Sequence, residues 1–278
     1  MDRVRDDAGL SRGFSADRAA LIVYLIAGYP DRATSLACLR AAARAGADVI
    51  ELGVPYGDAL ADGPVIRKAA HAAMRATTGG FGLARAISLA AEFTESVLAA
   101  PPLALMTYLN PMLRLGVEEL AEAASNAGVG GFIVPDMPPD NPMAARWLPL
   151  SHGRGLDTVF LVAPTSTEER LRLVARASSG FIYCVSATGV TGERAELSSQ
   201  LADLLARVRS ARSVRPPEDP AIPVAVGFGI STPEQAASVA RMADGVVVGS
   251  AVVRRQDDPA ALGAFVGELY EAVEHARE

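Results

Sequence analysis

Asp48-Val-Ile-Glu-Leu-Gly-Val-Pro-Tyr-Gly-Asp-Ala-Leu-Ala-Asp-Gly-Pro64 reads as a strand, a loop and a helix start in one run, with an acid in an unusual place. Side chains alternate along a strand, so Val49, Glu51 and Gly53 share one face while Ile50 and Leu52 share the other. A strand that is apolar on both faces except for one acid commits Glu51 to burial, which is costly unless the charge is paired or used. From the residues alone, a structural ion pair and a chemical role both remain open for Glu51. Asp62 closes the loop. Asp-Gly-Pro is also a good helix start, with Asp near the cap and Pro64 in the first turn, so capping and function both fit.

The same unit recurs outward in both directions. Short apolar strands are predicted near Leu21–Ile26, Asp48–Leu52, Leu103–Thr107, Gly131–Val134, Thr158–Leu161, Phe181–Val185, Val224–Val226 and Gly245–Val248. Helical spacing of Ala and Leu follows near Thr34–Ala45, Val117–Ala127, Thr167–Ala177 and Thr232–Met242. Gly46, Gly128 and Gly180 stand where a helix would close before the next strand opens. Eight strand–helix units without a break in composition indicate a parallel sheet, and in a chain of 278 residues they fit a single (β/α)8 TIM barrel domain over 1–278 better than an open sheet with two edges. The stretch from Pro64 to Ala99 has room for two helices between strands two and three. The first twenty residues are expected to form a preceding helix or a loose arm, and Arg212–Pro220 a polar loop.

Composition narrows the function. Half the residues are hydrophobic but only 5% are aromatic, so Ala, Val and Leu build the core. The net charge of −6 argues against a nucleic-acid partner, though not against an anionic small ligand held by backbone N–H groups. Cys38 and Cys184 lack metal-ligand spacing and read as core thiols of a reducing compartment. His71, His152 and His275 are scattered on helix-like segments and read as surface residues. No secretory signal opens the chain, and the longest apolar run, Ala19 to Ala27, is too short to span a bilayer. A soluble cytoplasmic protein without membrane contact is the expectation.

In such barrels the active site lies at the C-terminal ends of the strands, where Glu51 and Asp62 both fall. Val226-Gly-Phe-Gly-Ile-Ser-Thr232 follows the seventh predicted strand, and Val248-Gly-Ser-Ala-Val-Val253 follows the eighth. Loops at these two places, rich in glycine and leading into helix starts, form the recurrent phosphate site of the architecture. Ser186-Ala-Thr-Gly-Val-Thr-Gly-Glu-Arg194, after the sixth strand, suits a lid, although an ordinary flexible loop has the same composition. With no metal cluster and no dinucleotide fingerprint, acid–base chemistry on a phosphorylated substrate without a cofactor is the simplest proposal.

Glu51-Leu-Gly-Val-Pro, Asp62-Gly-Pro, Leu105-Met-Thr-Tyr-Leu-Asn-Pro111, Ile133-Val-Pro-Asp-Met-Pro-Pro139, Ala163-Pro-Thr-Ser166, Thr188-Gly-Val-Thr-Gly192, Gly227-Phe-Gly-Ile and Gly249-Ser-Ala251 together resemble the tryptophan synthase alpha subunit family. The likeness runs from about Leu21 to the C-terminal helix, in the family's order. It implies retro-aldol cleavage of indole-3-glycerol phosphate to indole and glyceraldehyde 3-phosphate, with indole passed to a beta subunit in an alpha2-beta2 assembly. It also implies that Glu51 protonates indole C3 and that Asp62 accepts a hydrogen bond from the indole N–H and steadies its positive charge. Tyr24, Met106, Tyr108, Tyr183, Thr191 and Phe228 match substrate contacts. Gly192, Gly229, Gly249 and Ser250 match the phosphate cradle. For Tyr24, Met106, Tyr108 and Phe228, plain core packing fits equally well.

Some positions depart from the family. Gly57 and Ala59 replace its usual Ser and Pro, which frees a loop that carries signals to the beta subunit. Ile26 replaces a more usual Thr, and Ala187 stands where many members carry a larger polar residue. A stand-alone lyase releasing free indole, a non-catalytic partner that activates a beta subunit, and a sugar-phosphate isomerase or epimerase are the competing readings. The last shares the phosphate loops but does not need the Glu51 and Asp62 pair.

Overall fold

The computed structural model describes residues 9–59, 62–76, 80–185, 194–214, 216, 219, 221–227 and 229–277, the side chains of 194–199 excepted. Its strands are β1 (Ala20–Ile26), β2 (Val49–Gly53), β3 (Leu103–Met106), β4 (Gly131–Ile133), β5 (Asp157–Val159), β6 (Leu161–Val162), β7 (Ile182–Val185), β8 (Val224–Gly227) and β9 (Gly245–Val248). All neighbours pair in parallel, in the order β5-β4-β3-β2-β1-β9-β8-β7-β6. The two end strands, β5 and β6, are consecutive in the chain and separated only by Phe160, so the sheet closes on itself as a TIM barrel.

The prediction of one fifth strand is thereby refined. The segment pairs with β4 up to Ile133↔Val159, then with β7 from Leu161↔Tyr183, and the Phe160 carbonyl accepts the Tyr183 N–H at 3.1 Å. One stretch of chain serves both neighbours in turn, which splits its ladder at Phe160.

Helices follow the strands because the sequence writes their starts. Asp31 accepts the Thr34 N–H at 2.9 Å before α1 (Arg32–Arg44). α2 (Pro64–Ala76) and α3 (Leu83–Ser96) fill the long gap after β2, as expected. α4 (Leu109–Leu115) and α5 (Val117–Asn126) follow β3. A cap residue followed by proline opens α6 (Pro142–Gly153) at Asn141. Thr167 caps α7 (Glu168–Ala177), and α8 (Arg194–Ala211) follows β7. The cap-and-proline pair opens α9 (Pro233–Ala240) at Thr232, α10 (Ser250–Val253) is one short turn, and Asp258 with Pro259 opens α11 (Pro259–Glu274). Gly46 and Gly128 take positive φ directly after the caps of α1 and α5, the backbone conformation that favours glycine. Gly180 also has positive φ but does not close its helix: α7 ends at its cap, Ser178, in extended backbone, and Gly180 stands in the bend before β7.

Two apolar layers result. Ile50, Leu52, Leu25 and Leu105 face outward against the helices, while Ile22, Val49, Ala104, Val159, Ala225 and Val247 fill the barrel interior. Cys38 and Cys184 are buried free thiols, and the three histidines are exposed. Among the described residues no helix is long and apolar enough to cross a membrane.

The N-terminal arm is neither a long helix nor loose where it is described. A 3-10 turn, Leu10–Gly13, inserts Leu10 fully buried into the interior cluster, and Asp157 accepts the Leu10 N–H at 2.7 Å. Phe14 lies against Phe181 with ring centroids 5.5 Å apart. Asp48 then accepts a two-pronged bond from Arg18 and the Leu21 N–H at 2.7 Å, which ties the start of β1 to the start of β2. The polar stretch after α8 begins with a 3-10 turn, Arg212–Val214. Its Arg212 bonds the Ile222 carbonyl and lies 3.8 Å from Asp244, so that end is anchored to the barrel.

Because Leu10 seals the interior at the end opposite the candidate site, Leu10→Ala should cost about 2–5 kcal/mol of stability. The check is the urea midpoint of unfolding, and an unchanged midpoint would mean that the interior packs without the arm.

Candidate active site

The barrel's alternation aims β2 at a single point. Val49 belongs to the interior cluster, so Glu51, two residues on, also points inward, one layer nearer the C-terminal rim. Glu51 pairs in register with Tyr24 of β1 and Ala104 of β3 and is 1% exposed. Among the described residues no ion pair compensates it, and its Oε2 is buried without a hydrogen-bond partner. Desolvation, and behind it the charge of Asp62, push the Glu51 carboxyl up to about 8. The structural ion-pair alternative therefore has no counterpart among the described residues.

Asp62 sits at the rim, half-buried. Burial raises its carboxyl to about 6, while a hydrogen bond from Tyr108 Oη at 3.4 Å and the charge of Arg67 pull the other way. Gly63 stands next to α2, and its carbonyl accepts the Arg67 N–H at 3.0 Å, so Gly63 holds the cap position. Asp62 is thereby left one residue outside the helix, on the side of Tyr108.

Tyrosines line the space between the acids. Tyr24 and Tyr183 are both nearly fully buried, and both phenols are raised well above their ordinary range by burial. Tyr24 feels the charges of Asp62 and Glu51, and Tyr183 that of Glu51, which places all four groups together. Each phenol rests on a glycine of the next strand. A Cβ on Gly53 would collide with Tyr24 Oη, and one on Gly227 with Tyr183 Oη. These two glycines are site residues that the motif reading did not separate from their neighbours. Gly53 does share the Glu51 face of its strand, which is the signal that a large side chain is excluded there.

Tyr108 is braced from behind. Its ring lies 5.2 Å from that of Tyr56, whose hydroxyl accepts a bond from Asn110 at 3.3 Å, and Asp136 accepts the Leu109 N–H at 2.8 Å. The Tyr56, Tyr108 and Asp136 segments, read separately as motifs, thus form one supported rim. Met106 pairs with Gly53 and Ile133 and is packed between the interior and the outer layer.

On the opposite arc, Gly229 takes φ +77° just after β8, and Gly249 leads directly into α10, which begins at Ser250. β8 and β9 are neighbours, so the two glycine loops stand side by side at the C-terminal rim. Gly249 lies close to Tyr24: a Cβ there would be 3.7 Å from the Tyr24 Cβ. The structure therefore gathers Glu51, Asp62, Tyr24, Tyr108 and Tyr183, with Gly229, Gly249 and Ser250 on the same rim. Thr191, Gly192 and Phe228, like the other lid residues from 186 to 193, Ala187 included, lie outside the described residues, and Arg194 opens α8. An apolar cavity of about 330 Å³ also opens at this end, lined by Val134, Pro135, Met137, Leu161, Val185 and others. Its one charged residue, Arg170, is paired with Asp140 at 2.7 Å. No cluster of three or more potential metal ligands occurs among the described residues.

Known proteins share this architecture and its sequence. The family model described as tryptophan synthase alpha chain matches residues 10–274. The tryptophan synthase alpha chain of Solibacter usitatus is 46% identical over 238 residues, covering 86% of this chain and 84% of its own. That of Gluconacetobacter diazotrophicus is 46% identical over 253 residues, covering 90% and 87%. A structure of Mycobacterium tuberculosis tryptophan synthase superposes with a TM-score of 0.81 at 42% identity, covering 93% of each chain. Tryptophan synthase subunit alpha of Legionella pneumophila gives 0.80 at 31% identity, covering 92% of this chain and 93% of that one.

The burial of Glu51 leaves a thermodynamic trace. In the folded chain its proton is held to about pH 8, whereas in the unfolded chain it leaves near the ordinary 4.5. Unfolding therefore releases a proton between those values, and the fold loses stability as pH rises through that window. Glu51→Gln cannot titrate, so its stability relative to the native chain should climb from pH 5 to pH 8, by up to roughly 4 kcal/mol. Urea midpoints across that range test it, and parallel pH profiles for the two proteins would refute it.

Proposed function

We propose that the chain, which belongs to the tryptophan synthase alpha chain family, cleaves indole-3-glycerol phosphate to indole and glyceraldehyde 3-phosphate through the Glu51 and Asp62 pair. Membership makes it a lyase-type enzyme subunit of tryptophan biosynthesis. The observation that carries the proposed roles is the difference between its two acids: near neutral pH Glu51 keeps its proton and Asp62 has lost most of its own.

That difference matches the reaction. The bond between indole C3 and the glycerol chain cannot break heterolytically while C3 belongs to the aromatic ring, because the ring has nowhere to accept the electrons. Protonation of C3 by the Glu51 carboxyl makes that carbon tetrahedral and moves positive charge to the ring nitrogen. The Asp62 carboxylate, accepting the indole N–H, stabilises that charge. The Glu51 carboxylate left behind then takes the proton of the adjacent glycerol hydroxyl as it becomes an aldehyde. The electron pair of the broken C–C bond returns to the ring, so Glu51 ends as it began. Tyr183, against Glu51, faces the glycerol side, and Tyr24, Met106, Tyr108 and Phe228 wall the indole. Gly192, Gly229, Gly249 and Ser250 take the phosphate through backbone N–H groups, and Thr191 belongs to the same lid segment.

The partner in this reading is a tryptophan synthase beta subunit that receives the indole, and the setting is the cytoplasm, with 1–278 acting as one barrel domain. Gly57 lies on the exposed part of the loop between the two acids, with open space where a side chain would be. A glycine there, in place of the family's usual serine, leaves the exposed end of the loop conformationally freer although Ala59 is buried, which gives the stand-alone lyase some support.

The purified chain is to be assayed on indole-3-glycerol phosphate alone, then with a beta subunit and serine. Slow indole release that rises sharply with the partner is expected. Glu51→Gln and Asp62→Asn should each lose about 10²–10⁴-fold in kcat. Fast release by the chain alone would favour the stand-alone lyase, and no cleavage under either condition would sink both.

A further inference from the structure

Gln256 lies in the turn after α10, outside the site, yet it is completely buried. The reason lies in how β1 and β9 part. Their ladder ends at Val23↔Val248, while on its other edge β1 stays paired with β2 as far as Ile26↔Gly53. In a parallel sheet alternate residues turn their backbone groups to the same neighbour. Ala20 donates toward β9, to the Asp244 carbonyl, so Ile26 faces that side too. At that level β9 has already turned away at Gly249 to begin α10.

The Gln256 carboxamide occupies the gap. Its Oε1 accepts the Ile26 N–H at 2.9 Å, and its Nε2 donates to the Ile26 carbonyl at 2.6 Å and to the Tyr29 carbonyl at 3.0 Å. A side-chain amide carries the donor and acceptor of a peptide unit, so Gln256 extends the ladder where the strand does not. Its own carbonyl accepts the Cys38 thiol at 3.2 Å, which fixes the turn to α1. Without Gln256 the buried Ile26 N–H would lose its partner, while the Ile26 carbonyl would keep the Ser35 hydroxyl at 3.3 Å and the Tyr29 N–H at 3.4 Å.

We propose that Gln256 is a positioning residue for the substrate pocket. By standing in for the missing end of β9, it lets that strand leave early to form the Gly249–Ser250 turn while β1 runs on to its loop. It thereby holds the Tyr24 end of β1 against that turn. The inference rests on the proposed function, in which Tyr24 meets the indole and Gly249 and Ser250 meet the phosphate.

Gln256→Met keeps the length and removes all three side-chain bonds, and Gln256→Asn keeps the amide but is one methylene too short to bridge the gap. Each is to be compared with the native chain, in complex with a beta subunit, for KM and kcat on indole-3-glycerol phosphate, for inorganic phosphate affinity and for melting temperature. KM should rise about tenfold and phosphate affinity fall by a similar factor, with kcat within about twofold. If Gln256→Met does not fold, Gln256→Asn carries the same expectation. A lower melting temperature with unchanged KM and phosphate affinity, or a loss confined to kcat, overturns the inference alone. A native chain that neither binds phosphate nor cleaves the substrate overturns the proposed function, and the inference with it.

Discussion

Desolvation of a single carboxyl, Glu51, is the constraint on which the rest of the site depends. The barrel wraps it in β1, β2 and β3, gives it no cationic partner among the described residues, and so makes its neutral form the stable one near pH 7. An acid in that state can donate its proton inside an apolar enclosure, which an exposed glutamate could not do at the same pH. The stability given up to hold it there is the cost of the chemistry.

The surrounding groups keep the two acids unlike one another. Asp62 remains nearer solvent, takes a bond from Tyr108 and feels Arg67, so it ionises first. The buried phenols of Tyr24 and Tyr183 fill the space beside Glu51 without adding charge. They fit because Gly53 and Gly227, on the neighbouring strands, leave no Cβ in their path. Two glycines that look like loop punctuation in the sequence are thus seats for aromatic rings.

Closure of the barrel depends on similar local substitutions of one group for another. Leu10, from outside the repeating units, seals the interior below, and one strand split at Phe160 serves two neighbours in turn. At the upper rim, the amide of Gln256 completes a ladder that β9 leaves unfinished. None of these devices belongs to the eightfold pattern, and each sits where that pattern alone would leave a hole or an unpaired backbone group.

The eightfold pattern itself was legible in the sequence, because apolar strands, capping residues and glycine stops are local signals that repeat. So was the pairing of Glu51 with Asp62 on one face, since strand alternation and the position of the loop settle both. Asp62 as a helix cap stayed open until the turn was seen, because Asp-Gly-Pro fits two cap positions and only the Gly63 carbonyl bond to Arg67 distinguishes them. The lack of a partner for Oε2 of Glu51 among the described residues, the glycine seats of Tyr24 and Tyr183, the plug at Leu10 and the bridge from Gln256 to Ile26 were decided by the tertiary structure alone. The physical reason is separation along the chain. Local spacing dictates which face a side chain takes, but what it meets there comes from residues as far away as the 230 positions between Ile26 and Gln256, brought near only when the barrel closes.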